Sequence, residues 1–87
     1  MPKNKFNPQE ERPSLMRMAL AHEENYTYWL KEGVVRRAVY YMFHCERYLA
    51  LAAGLSCTEA IKTADQVMLG GDYADEYITY RDSTGAI

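Results

Sequence analysis

Apolar residues recur along this chain at intervals of three and four, the spacing of one face of an α-helix, and glycines punctuate the runs. The longest uninterrupted stretch, VVRRAVYYMFHCERYLALAA from Val34 to Ala53, lies between Gly33 and Gly54 and contains neither Gly nor Pro. It predicts one long helix over about 34–53. At about 100° per residue, Val35, Ala38, Val39, Met42, Cys45, Leu49, Ala52 and Ala53 gather on one side. Arg36, Arg37, Tyr40, Tyr41, His44, Arg47 and Tyr48 gather on the other. The first set calls for a core. The second is too aromatic for an ordinary solvated face and calls for a partner.

The same spacing predicts a helix before it, ending near Lys31 and Gly33. Its start is signalled twice: Ser14 can cap Leu15 onward, or Pro13 can sit in the first turn. Leu15, Met18, Ala19, His22, Tyr26, Trp29 and Leu30 form its expected buried stripe, with Trp29 the largest contributor to the core. His22, in the middle of that stripe, reads as a core residue hydrogen-bonded to a backbone carbonyl or a Tyr hydroxyl. The first two helices, joined at Gly33, form either an antiparallel hairpin or a kinked pair.

Gly54 stands where a helix C-cap favours a left-handed residue, and Ser56 with Glu59 three residues later spells a capping box. A third helix follows over about 57–69, with Ala60, Ile61, Ala64, Val67 and Met68 as its apolar stripe. Gly70 and Gly71 stop it, and Asp72 can cap a short fourth helix from Tyr73 to about Tyr80. No convincing strand signal is present. The expected architecture is all-α: a small bundle of three to four helices around a long central one. Residues 1–12, polar and broken by Pro2 and Pro8, read as a flexible arm. Residues 13–82 read as a single helical domain and 83–87 as a frayed tail.

Composition sharpens this in one respect. Eighty-seven residues support only a modest core, yet the chain carries eight Tyr, two Phe and one Trp. Tyr buries its ring while its hydroxyl stays wet, which suits recognition surfaces and the margins of small cores alike. Charge is uneven. Residues 33–56 hold Arg36, Arg37 and Arg47 against Glu46; residues 57–87 hold Lys62 and Arg81 against six acids. The middle is mildly basic and the end acidic, neither at the density of a nucleic-acid arm. The first residues, MPKNKFNPQEERP, contain no apolar run, and no stretch has the length of a membrane span. A cytoplasmic protein with no membrane partner is expected.

Catalytic and metal-binding patterns are missing from the sequence. Cys45 and Cys57 fit no disulfide framework or C-x-x-C pair, and His22 and His44 belong to no H-E-x-x-H or E-x-x-H. Gly70-Gly71 lacks the strand and lysine of a phosphate loop. The chain is read as a non-enzyme without cofactor or metal. Ala50, Gly54 and the capped third helix have the spacing of a helix–turn–helix. The would-be recognition helix, however, offers Thr58, Glu59, Lys62, Thr63, Asp65 and Gln66, more acid than base.

What remains is a surface. Arg36, Arg37, Tyr40, His44, Arg47 and Tyr48 combine guanidinium and ring in the manner of a protein hot spot or a single-strand stacking platform. Asp72, Tyr73, Asp75, Glu76, Tyr77 and Tyr80 form a second candidate, an acidic, Tyr-bearing segment for a basic partner. The expected function is a non-catalytic module that docks on a larger protein through these two surfaces. A helix–turn–helix-like nucleic-acid regulator using the arginines is the alternative. A homodimer would also relieve so small a core. Size and composition, rather than any motif, also suggest the small phage and mobile-element products that inhibit host machinery, anti-CRISPR proteins among them.

Overall fold

The computed structural model describes residues 8–84, and all the regular structure among them is helical: α1 (Pro8–Lys31), α2 (Val35–Ala52), α3 (Cys57–Leu69) and α4 (Ala74–Thr84). The all-α reading holds. The start of α1 differs from expectation, because the helix begins at Pro8 and carries Pro13 inside it. Proline lacks an N–H, so one early intrahelical bond is forfeited, but the turn before it remains helical. Residues 8–12 of the expected arm are therefore helix, and the rest of that arm lies outside the described residues. At the other end Ser83 and Thr84 complete α4, their hydroxyls donating to the carbonyls of Thr79 and Tyr80 at 2.9 Å each.

Two glycine turns fold the chain. At Gly33 (φ 80°) the Val34 N–H donates to the Trp29 carbonyl at 2.9 Å and the Gly33 N–H to Leu30 at 3.0 Å. At Gly54 (φ 99°) the Leu55 N–H reaches Ala50 at 3.1 Å and the Gly54 N–H reaches Leu51 at 3.0 Å. Both are Schellman closures, which need a residue at ease in the left-handed region. The Ser56–Glu59 capping box then starts α3, the Ser56 hydroxyl accepting from the Glu59 N–H at 3.2 Å.

The first turn makes α1 and α2 an antiparallel hairpin. Trp29 meets Arg37, His22 meets His44, and Leu15 clusters with Ala52, so one helix ascends as the other descends. The helix α1 packs on α2 alone, whereas α2 touches α1, α3 and α4. The central helix is thus held between two layers. Cys45 lies close to Glu23 and Tyr26 of α1, and Ala38 and Ala52 share its line seven residues either way; these small side chains admit α1 closely. On the other side Val39 and Phe43 pack with Ala64, Met68 and Tyr77 of α3 and α4.

That arrangement revises the expected core. Phe43, assigned to neither face from sequence, is 3% exposed, while Leu49, Met18 and Val67, each expected inside, are 38%, 42% and 45% exposed. Trp29 is only half-buried. The large side chain at the centre is Tyr77 instead, fully buried and stacked on Phe43 at 5.8 Å between ring centroids. Its hydroxyl donates to Asp65 Oδ1 at 2.7 Å, and Arg81 Nη1 donates to the same oxygen at 3.2 Å. One carboxylate of α3 therefore holds two residues of α4.

Candidate interaction surface

A helix sandwiched between two layers keeps two narrow strips free. On α2 one strip carries Tyr40, His44 and Arg47 and opens between α1 and α4. The other carries Met42 and Glu46, where it opens between α1 and α3, and Leu49, where it borders α1.

The first strip is lined by rings and guanidinium groups. Trp29 from the end of α1, Arg36, Arg37, Tyr40 and Tyr41 from α2, and Tyr80 from α4 enclose a concavity of about 350 Å³. Arg37 lies over the Trp29 ring at 4.7 Å, within cation–π range. Tyr28 meets the same indole edge-on at 4.9 Å. Tyr40, 41% exposed, stands edge-on to Tyr41, His44 and Tyr80 at 5.0, 4.6 and 6.0 Å. Burial raises the pKa of the Tyr80 hydroxyl, with Tyr40 adding to the effect. Rigid rings beside fixed cations give a surface that loses little conformational entropy when a partner arrives.

Farther along α2 the strip closes over. Arg47 lies 4.6 Å from the Tyr48 ring centroid, and its Nε donates to His44 Nδ1 at 3.2 Å. His22 of α1 stacks on Tyr48 at 5.4 Å and approaches Tyr41 and His44 at 5.7 and 5.8 Å. His44, Arg47 and Tyr48 are all half-buried. Burial, then Arg47, then His22 push His44 down to about 4, and burial followed by Arg47 lowers His22. Both rings are neutral at pH 7. Among the described residues His22 Nδ1 is buried without the hydrogen-bond partner expected for it, and the ring stacks on Tyr48 instead.

The acidic segment divides. Asp72, Asp75 and Glu76 are exposed, and Asp75 and Glu76 share a second concavity of about 390 Å³ with Arg36 and Thr79. Arg36 thus belongs to both concavities, so the basic strip and the acidic turn adjoin. Tyr73 and Tyr80 are half-buried against the core. Tyr77 is removed from the candidate surface, because it has no accessible area with which to meet a partner. Trp29 and Tyr41 join it. The signal for Trp29 was present: counting back through the Gly33 turn of an antiparallel hairpin places it opposite Arg37.

Burial, with Glu46 and Glu23 adding to it, pushes the Cys45 thiol up to about 11, so it stays protonated at pH 7. Among the described residues no group of three or more His, Cys, Asp or Glu side chains could hold a metal ion, and no helix is long and apolar enough to cross a membrane. Fold and surface together define a small all-α bundle with an aromatic, guanidinium-lined strip. Compared with known proteins, the chain matches no family model, no curated protein and no solved structure.

Proposed function

We propose that the protein is a non-catalytic docking module that binds a larger protein through the strip of Trp29, Arg36, Arg37, Tyr40 and Tyr80, with Asp75 and Glu76 at its rim. The observation that carries this reading is the concavity itself. Trp, Tyr and Arg are the residues that dominate protein hot spots, and here they meet from α1, α2 and α4 around one hollow of about 350 Å³. Two guanidinium groups on one side and two carboxylates beside Arg36 favour a partner surface with both signs of charge, acidic opposite Arg37 and basic opposite α4. The exposed residues of α3, among them Thr58, Glu59, Lys62 and Gln66, balance one acid with one base, which favours the aromatic strip over α3 as the contact.

The test is affinity capture from a lysate of the organism in which the protein is made, with and without nuclease and at low and high salt. The wild type is compared with an Arg36→Ala/Arg37→Ala/Tyr40→Ala variant of unchanged circular dichroism. A protein retained through nuclease and salt by the wild type, and lost by the variant, supports docking through this strip. Equal retention by both refutes it. Material released by nuclease, or by salt alone, points to phosphate contacts and makes the chain a nucleic-acid binder.

A further inference from the structure

The second open strip of α2 has a different chemistry from the first. The backbones of α1 and α3 nowhere come within 8 Å Cα to Cα, and an open edge of α2 lies between them as a shallow trough. One end is a hollow of about 390 Å³ lined by Tyr26, Met42, Glu46, Val67, Met68 and Tyr73, with Asp72 at its lip. The other is a hollow of about 380 Å³ lined by Met16, Arg17, Ala19, Leu20, Glu23 and Leu49. They adjoin along the two helices, since Glu23 and Tyr26, like Glu46 and Leu49, lie one turn apart. Four large side chains of this trough stand in solvent: Met16 at 44%, Leu20 at 54%, Leu49 at 38% and Val67 at 45%.

We infer that this trough is a docking site for a basic amphipathic helix of a partner protein. Exposed aliphatic and Met side chains along this edge call for an apolar stripe, and unbranched Met lets the surface adapt to it. The occupant is helical because the trough is walled by side chains, and the surrounding helices offer no ladder for an extended strand. A helix satisfies its own backbone groups. Its flanks are basic because three acids, Glu23, Glu46 and Asp72, line the trough against one base, Arg17, and among the described residues none of the acids forms an ion pair. Burial, with Glu23 and Glu46 adding to it, holds the protons on Tyr26 and Cys45. A second copy of the chain does not fit this demand. Its outer helices are acidic on balance, with three bases against four acids in α1, one against two in α3 and one against three in α4. Its net basic helix, α2, has α1 on one side and α3 and α4 on the other and offers no free apolar stripe between basic flanks.

The test uses the full chain and three synthetic 18-residue peptides, followed by fluorescence anisotropy and by amide chemical shifts. One peptide has a leucine stripe flanked by lysines, the second replaces every lysine with glutamate, and the third scrambles the first to destroy its helical period. The lysine peptide is expected to bind at micromolar concentration, shifting residues of the trough, with the other two at least about tenfold weaker. A Glu23→Lys/Asp72→Lys variant should reverse the preference between lysine and glutamate peptides. A Val67→Ser/Leu49→Ser variant should weaken the lysine peptide about tenfold without touching the charges. Equal binding of the scrambled peptide, or indifference to both variants, overturns the inference. So does sedimentation showing a dimer that Val67→Ser/Leu49→Ser dissociates, since a second copy then fills the trough. None of these substitutions touches Arg36, Arg37 or Tyr40, so capture through the aromatic strip stands or falls separately.

Discussion

Acidification from pH 7 to pH 4 should loosen α1 from α2 before anything else, and the reason is His44. Its ring sits in the seam between the two helices, receiving a hydrogen bond from Arg47 on Nδ1 and approaching His22 at 5.8 Å. Protonation would remove the acceptor and place a second cation against the Arg47 guanidinium. Burial first, then the Arg47 charge and His22, hold His44 at about 4 in the folded protein, against 6.5 for the free side chain. Between those values the unfolded chain binds the proton and the folded chain does not, so stability rises with pH in that window. The contribution is intact above about pH 6.5 and is lost as pH falls toward 4. The full shift corresponds to about 3 kcal/mol, and to about 2 kcal/mol after solvent screening of a half-buried ring. His22, also lowered by burial and by Arg47, acts in the same direction. Urea titrations at half-unit pH intervals measure this, with His44→Gln as the control. The wild type should lose more stability than the control between pH 6.5 and 4, whatever the control's absolute stability. The two falling in parallel, or the His44 imidazole titrating near 6.5 by NMR, would refute the reasoning.

Other expectations are as direct. Tyr77→Phe deletes the 2.7 Å bond to Asp65 and should cost about 1.5–3 kcal/mol by chemical denaturation, whereas Tyr77→Ala empties a fully buried site and should cost about 3–5 kcal/mol. Phe43→Ala should likewise cost about 3–5 kcal/mol; Trp29→Ala, truncating a half-buried ring, should cost less than half of that, and equal costs would contradict the burial pattern. Ser56→Ala removes the α3 cap and should cost about 1 kcal/mol, with Ser56→Thr largely tolerated. A thiol reagent at pH 8 should modify Cys57, which is exposed, and spare Cys45, buried and pushed up to about 11, until urea unfolds the chain.

Local chemistry was legible wherever a few neighbouring residues suffice to define it. Gly33 and Gly54 are needed at left-handed positions, Ser56 and Glu59 satisfy each other's backbone donors, and apolar spacing marks the helices. These are short-range demands, so they read directly from the chain. Pro13 misled because proline forbids one bond rather than a whole helix, and the turn before it persists. The aromatic strip was legible in part: Arg36, Arg37 and Tyr40 lie open, but Tyr77, equally plausible by composition, is fully buried.

The sequence by itself determined that this chain is helical, where its helices break, and that α2 is the one the others must meet. Only tertiary structure decided how many sides of α2 are covered. Periodicity tells which residues share a face, and it assumes one core per helix. With α1 on the line of Ala38, Cys45 and Ala52, and α3 and α4 on the line of Val39 and Phe43, the two faces read from sequence each split. Half of the Arg–Tyr–His face became the packed seam around His22, and the Met42–Leu49 edge of the apolar face was left open as a trough. Which strips stay exposed is set by the angle at which three helices surround a fourth, and that angle is a property of their mutual packing.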